Sequence, residues 1–200
     1  MKKAFFQLHI AVFLAGFTAI LGKLITLNEE LLVWYRMLIT AVTLGLMLYF
    51  KKQLKKLSFK ITITLFGVGV LVAFHWLCFY GSIKYSNISV ALTCFSSTGF
   101  FTAILEPIIK KKGVDILEVL FGLFAIAGIY LIFDFYPQYE PGIVFGVISA
   151  LLASIFPIFN KDLLIKYSVE TVTLYEMIGG FIGLTLIFPF YLKFFQNIFI

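Results

Sequence analysis

Residues 61–83 read ITITLFGVGVLVAFHWLCFYGSI, a run of 23 residues without an aspartate, glutamate, lysine or arginine. As a helix rising 1.5 Å per residue it is about 34 Å long, enough to cross the roughly 30 Å hydrocarbon core of a bilayer. Outward from it, comparable apolar runs occupy about 5–27, 31–50, 87–109, 116–135, 142–160 and 171–192, joined by short polar connections. Hydrophobic residues make up 62% of the 200 and charged residues 13%, against roughly 25% charged in soluble domains, and mean hydropathy is +1.04. A soluble fold cannot bury that much apolar surface. The expectation is an all-α integral membrane protein with seven predicted transmembrane helices. The first run follows Lys2 and Lys3 as a secretory leader would, but it stays apolar through Ile25 and reads as an uncleaved first span.

The net charge of +6 is arranged in alternate connections. One set holds Lys2, Lys3, Lys51, Lys52, Lys55, Lys56, Lys60, Lys110, Lys111, Lys112, Lys161 and Lys166; the other holds Lys23, Lys84 and Lys193. Positive residues near span ends are retained in the cytoplasm, so the N-terminus is expected there and Ile200 on the far side, in the cell inner (plasma) membrane. Lysines placed this way set orientation, and no nucleic-acid surface is expected. Cys78 and Cys94 sit inside apolar runs without metal-ligand spacing. The chain has neither a phosphate-binding Gly-x-x-x-x-Gly-Lys-Ser/Thr loop, nor a His-Glu-x-x-His site, nor a Gly-x-Ser-x-Gly elbow. No cofactor, metal or enzymatic activity is expected.

The second and seventh runs align. Trp34-Tyr35-Arg36-Met37-Leu38 falls on Leu174-Tyr175-Glu176-Met177-Ile178 at an offset of 140, and Leu44, Leu46 and Phe50 then fall on Leu184, Leu186 and Phe190. Two leucine-rich helices can also match by chance. As a repeat, its units start at spans one and six. Five spans, an odd number, separate equivalent points, so the units cross the membrane in opposite senses, as in transporters with a midplane solute site. The second unit holds only two spans, so the chain reads as an incomplete 5+5 inverted repeat. Residues 1–135 form the first five-helix unit and 142–200 a partial second one, which missing C-terminal helices or a second copy in a homodimer would complete.

Further residues carry a family likeness: His75-Trp76, then Gly81-Ser82-Ile83-Lys84-Tyr85-Ser86-Asn87-Ile88-Ser89, Glu106-Pro107, Glu118, Gly122 and Gly128-Ile129-Tyr130-Leu131. In these the chain resembles the EamA-type branch of the drug/metabolite transporter superfamily over nearly its whole length. The resemblance implies ten helices arranged five plus five and movement of amino acids, nucleosides, drugs or other metabolites.

Ionisable groups inside a membrane are costly and mark candidate sites. Arg36 can hold a solute carboxylate in its fork of donors, or snorkel to the outer interface beside Glu29 or Glu30. His75 can bond solute or exchange a proton, or be a packing histidine satisfied by a carbonyl. Trp76 and Tyr80, four apart, can wall an organic solute or pack against neighbours. Thr98, Thr102 and Glu106 share a helix face that can line a polar cavity, with close helix packing and a local Glu106–Lys110 pair as rivals. Glu118 reads as a helix-start charge. Pro157 favours a bend in the sixth run, at a site or as a static packing kink, with Ser149, Ala153 and Pro157 at four-residue steps and Asn160 beyond. Glu176 occupies the place of Arg36 in the inverted unit, where it can belong to a gate or anchor at the interface. The substrate-binding candidates are therefore His75, Trp76, Tyr80, Arg36, Thr98, Thr102, Glu106 and Asn160. Together they suggest a secondary transporter of a small organic solute, working by proton or ion coupling or equally by facilitated exchange, with His75 and Glu106 the first candidates if protons are coupled. The alternative is a non-transporting membrane scaffold or truncated assembly fragment needing a partner chain.

Overall fold

The computed structural model describes the backbone of residues 2–199 and the side chains of 5–187 other than Ala15 and Phe135. The side chains of Lys2, Lys3, Phe190, Lys193 and Ile200, used above for orientation and repeat, lie outside the described residues. The chain is all helical among the described residues. The elements are α1 (Lys2–Leu24), α2 (Glu29–Phe50), α3 (Phe59–Tyr85), α4 (Ile88–Ser96), α5 (Thr98–Lys110), α6 (Ile116–Phe135), a 3₁₀ turn (Pro137–Tyr139), α7 (Glu140–Leu163) and α8 (Val169–Phe199). Among the described residues seven helical segments are long and apolar enough to cross a membrane, with α4 and α5 making up one of them.

The fourth run is thus two helices, where one was expected over 87–109. Its break follows from three consecutive hydroxyls. Ser96, Ser97 and Thr98 each donate at 2.6 Å to the carbonyl three residues earlier, on Thr93, Cys94 and Phe95. The Ser97 amide also turns back to Cys94, at 3.1 Å, which tightens the turn and ends α4. The start of α4 is capped by the Asn87 side chain, which accepts from the Val90 amide at 2.9 Å; Asp115 caps α6 in the same way through Leu117.

α3 is the central helix, packed by α7 and α8, while α2 also lies on α8. Close approach of α3 and α8 depends on glycine. A Cβ on Gly69 would lie 2.0 Å from the Glu176 carbonyl oxygen, and one on Gly180 would lie 2.6 Å from the Gly69 carbonyl. Helices in lipid gain nothing from burying apolar faces against each other, so backbone-to-backbone contact of this kind is what joins them. The main core gathers Val33, Met37, Leu77, Phe79, Ile83 and Leu184, and a second core of Val90, Cys94, Ile129 and Ile143 joins α4, α6 and α7. α6 is peripheral: among its described side chains only Ile129 is buried.

Candidate functional site

Arg36 lies seven residues into α2, about 10 Å from its start, two residues or about 3 Å deeper than the apolar run alone indicates. Its Nη1 donates to the Tyr80 hydroxyl at 2.8 Å, and its guanidinium carbon stands 3.7 Å from the centre of the Trp76 ring. The four-residue step on α3 stacks Trp76 on Tyr80, with centroids 5.6 Å apart and planes 25° from parallel. Glu29, one of the two carboxylates named as neighbours for a snorkelling Arg36, faces Lys84 at 3.4 Å, and Lys84 also bonds the Leu27 carbonyl. Lys84–Glu29, Lys110–Asp162 and Lys161–Glu106 form ion pairs, whereas Arg36 meets a phenol and a π face. A cavity of about 490 Å³ opens between α1 and α2 over this cation, lined by Thr18, Gly22, Leu32, Tyr35, Arg36 and Tyr80. Gly22 lets α1 rest on the Tyr80 ring, since a Cβ there would lie 2.3 Å from its edge.

His75 adjoins this wall at 4% exposure. Its Nδ1 is 3.0 Å from both the carbonyl and the hydroxyl oxygen of Ser149, and that hydroxyl donates to the His75 carbonyl at 3.2 Å. Trp76, Phe95 and Phe156 surround the ring at 5.1, 5.5 and 5.9 Å between centroids. This is the packing arrangement weighed above: His75 ties α3 to α7. Ser149 was visible as part of the small-residue row before Pro157, but its partner was not.

Thr98, Thr102 and Glu106 share a face, and that face points elsewhere. A groove of about 540 Å³ between α5 and α6 is lined by Ser96, Thr98, Thr102, Glu118 and Gly122, and continues through Thr102 and Glu118 into a pocket of about 300 Å³ beside Glu106, Asp115 and Lys161. Glu106 accepts from Lys161 at 2.6 Å, and Lys110 donates to Asp162 at 2.5 Å. These crossed pairs clamp α5 to α7 and stand in place of the local Glu106–Lys110 pair that spacing offered as a rival to cavity lining. Glu118 lies in the first turn of α6, beside the Asp115 cap, and lines both cavities.

Asn160 meets Glu176 across α7 and α8. Glu176 is 5% exposed, and its Oε1 and the Asn160 Oδ1 are both buried without a hydrogen-bond partner among the described residues. The eight expected residues therefore fall into three places. Arg36, Trp76, Tyr80 and His75 form one group, Thr98, Thr102 and Glu106 line a separate groove, and Asn160 joins Glu176, the counterpart of Arg36 in the sequence match.

With these helices in place, the model of the EamA-like transporter family matches residues 2–134, from the start of α1 to the end of α6. The chain belongs to the EamA-like transporter family. An "Uncharacterized transporter" of Haemophilus influenzae (strain ATCC 51907 / DSM 11121 / KW20 / Rd) is 30% identical over 171 residues, covering 76% of this chain and 53% of the relative. The EamA-family chain thus spans about half the length of the curated relative it matches. No solved structure matches it.

Proposed function

We propose that this multi-pass EamA-family protein is a secondary transporter that moves a small organic solute bearing a carboxylate across the cell inner membrane by alternating access. The observation that carries the solute class is Arg36: a guanidinium about 10 Å into a span, meeting a phenol and a π face, at the edge of a cavity of about 490 Å³. A fixed cation in low dielectric favours an anion, the guanidinium fork suits a carboxylate, and Leu32, Tyr35 and Tyr80 suit an apolar body. Trp76 and Tyr80 hold the guanidinium in place and His75 fixes the wall to α7.

Residues 1–135 and 142–200 are read as inverted units related by the 140-residue offset. α2 and α8 start at Glu29 and Val169, which differ by that offset. Their contacts follow it too. Trp34 Nε1 donates to Thr185 at 2.9 Å, and a Cβ on Gly45 would lie 3.8 Å from Leu174. Adding 140 to Trp34 gives Leu174 and to Gly45 gives Thr185, so each contact is the image of the other under a two-fold exchange. Such an axis suits a transporter whose two faces open in turn, with the Glu29 end of α2 outward and the N-terminus cytoplasmic.

Solute binding tests the reading. Purified protein in detergent is heated with a panel of small carboxylates, amines and neutral organic solutes. Carboxylates at 100 times Kd should stabilise it by about 2.7 kcal/mol, and Arg36→Gln should remove that gain. Equal stabilisation by amines, or an Arg36→Gln response like wild type, would defeat the carboxylate assignment.

A further inference from the structure

We infer that Glu176 and Asn160 form an intramembrane proton site, occupied in the conformation described above, and that this site couples solute movement to protons. The coupling role rests on the transport reading; the occupied site does not.

Glu176 sits seven residues into α8, as Arg36 does in α2, so the two-fold exchange that brings Trp34 onto Leu174 brings Arg36 onto Glu176. One unit therefore presents a cation and the other a carboxyl at equivalent depth from opposite faces. The surroundings of the two differ. Arg36 borders a cavity and has Tyr80 and Trp76, whereas Glu176 is enclosed at 5% exposure with one oxygen unpartnered.

The elements around α8 leave no cation for it among the described residues. On α2, Arg36 is held by Tyr80 and Trp76. On α3, Lys60 is exposed and His75 is turned to Ser149, while Phe66 and Gly69 form the surface against α8. On α7, Lys161 donates to Glu106 and Asp162 accepts from Lys110. On α8 itself, Tyr175 donates to the Lys55 carbonyl at 3.1 Å. What meets Glu176 is Asn160, whose own Oδ1 lacks a donor.

Two buried acceptor oxygens, Oε1 of Glu176 and Oδ1 of Asn160, thus stand without a hydrogen. An ionised carboxylate buried without a cation is the costly state; one proton added to the carboxyl cancels the charge and supplies an O–H donor where there was none. The reaction is a simple association, carboxylate plus proton giving carboxylic acid, and needs no other reactant. Neither group named from sequence for this role has that character. Glu106 holds Lys161, and His75 is spent on Ser149.

The test uses the full chain in detergent and dicyclohexylcarbodiimide, an apolar reagent that adds a protonated carboxyl across one of its C=N bonds and leaves a stable adduct locatable by peptide mass. At neutral pH the adduct should form on Glu176 in preference to Glu106 and Glu118, decline as the pH is raised, and be absent from Glu176→Gln. Infrared spectra of the same wild-type samples should show a buried carboxylic acid band that disappears over the same pH range. A folded wild-type protein with neither adduct nor band at Glu176 would overturn the site, and suppression of the adduct by sodium at fixed pH would assign it to a metal cation instead. In liposomes, Glu176→Gln should retain exchange of a transported carboxylate while losing at least tenfold of the uptake driven by a pH gradient. Unaltered gradient-driven uptake would overturn the coupling role, whereas absence of all flux in wild type would count against transport and leave the labelling to decide the site.

Discussion

Replacing Gly69 by alanine places a methyl carbon 2.0 Å from the Glu176 carbonyl oxygen, 2.7 Å from its carbon and 2.8 Å from the Gly180 nitrogen. All three neighbours are backbone atoms, so no side chain can swing aside. Restoring ordinary contact near 3.4 Å means parting α3 from α8 by about 1.4 Å. Overpacking of this kind costs about 1–3 kcal/mol, and the immovable neighbours put Gly69→Ala at the upper end. Alanine returns up to about 1 kcal/mol through its better helix propensity, leaving a net loss of about 2 kcal/mol. For a chain of this size that corresponds to roughly 4–8 °C in melting temperature. Gly67 is an internal control on the same helix, because a Cβ there meets nothing within 4 Å. Thermal unfolding in one detergent, followed by helical circular dichroism, should therefore show Gly69→Ala melting well below wild type and Gly67→Ala at or above it. If the two variants melt together, the α3–α8 crossing is not as described and the α2–α8 pairing that it supports loses its footing.

Ser149→Ala removes one of the two oxygens facing His75 Nδ1 and should lower stability by about 1 kcal/mol in the same melt; no change would show that the Ser149 carbonyl alone satisfies the ring. Glu106→Lys and Lys161→Glu should each reduce the melting temperature through like-charge contact, and the double swap should recover most of the loss, whereas a double variant no better than the worse single one would argue against the α5–α7 clamp. In a background lacking Cys78 and Cys94, an impermeant maleimide should label Gln53→Cys only from the cytoplasm and Gln138→Cys only from outside, and the reverse pattern would invert the proposed topology.

The spans were legible because the bilayer demands long apolar runs, and residues 61–83 meet that demand alone. The break at Ser97 was not, since it depends on whether three hydroxyls bond their own backbone, a local contest that hydropathy does not register. Periodicity placed Trp76 over Tyr80 and put Thr98, Thr102 and Glu106 on one face. It names a face and not the helix opposite, which is why Thr98 and Thr102 proved to line the α6 groove rather than join His75. The same gap explains Glu106: spacing offered Lys110 on its own helix, and the fold brought Lys161 from α7. Glu176 was marked by its match to Arg36, but its enclosure and its meeting with Asn160 depend on how α7 and α8 pack.

Flux through purified protein reconstituted in liposomes tests the proposed transport most directly. Uptake of a labelled carboxylate should saturate, accelerate when the same solute is loaded on the opposite side, and fall at least tenfold in Arg36→Gln. Uptake no greater than in protein-free liposomes across the whole panel of carboxylates, amines and neutral solutes, from protein that melts cooperatively, would contradict it.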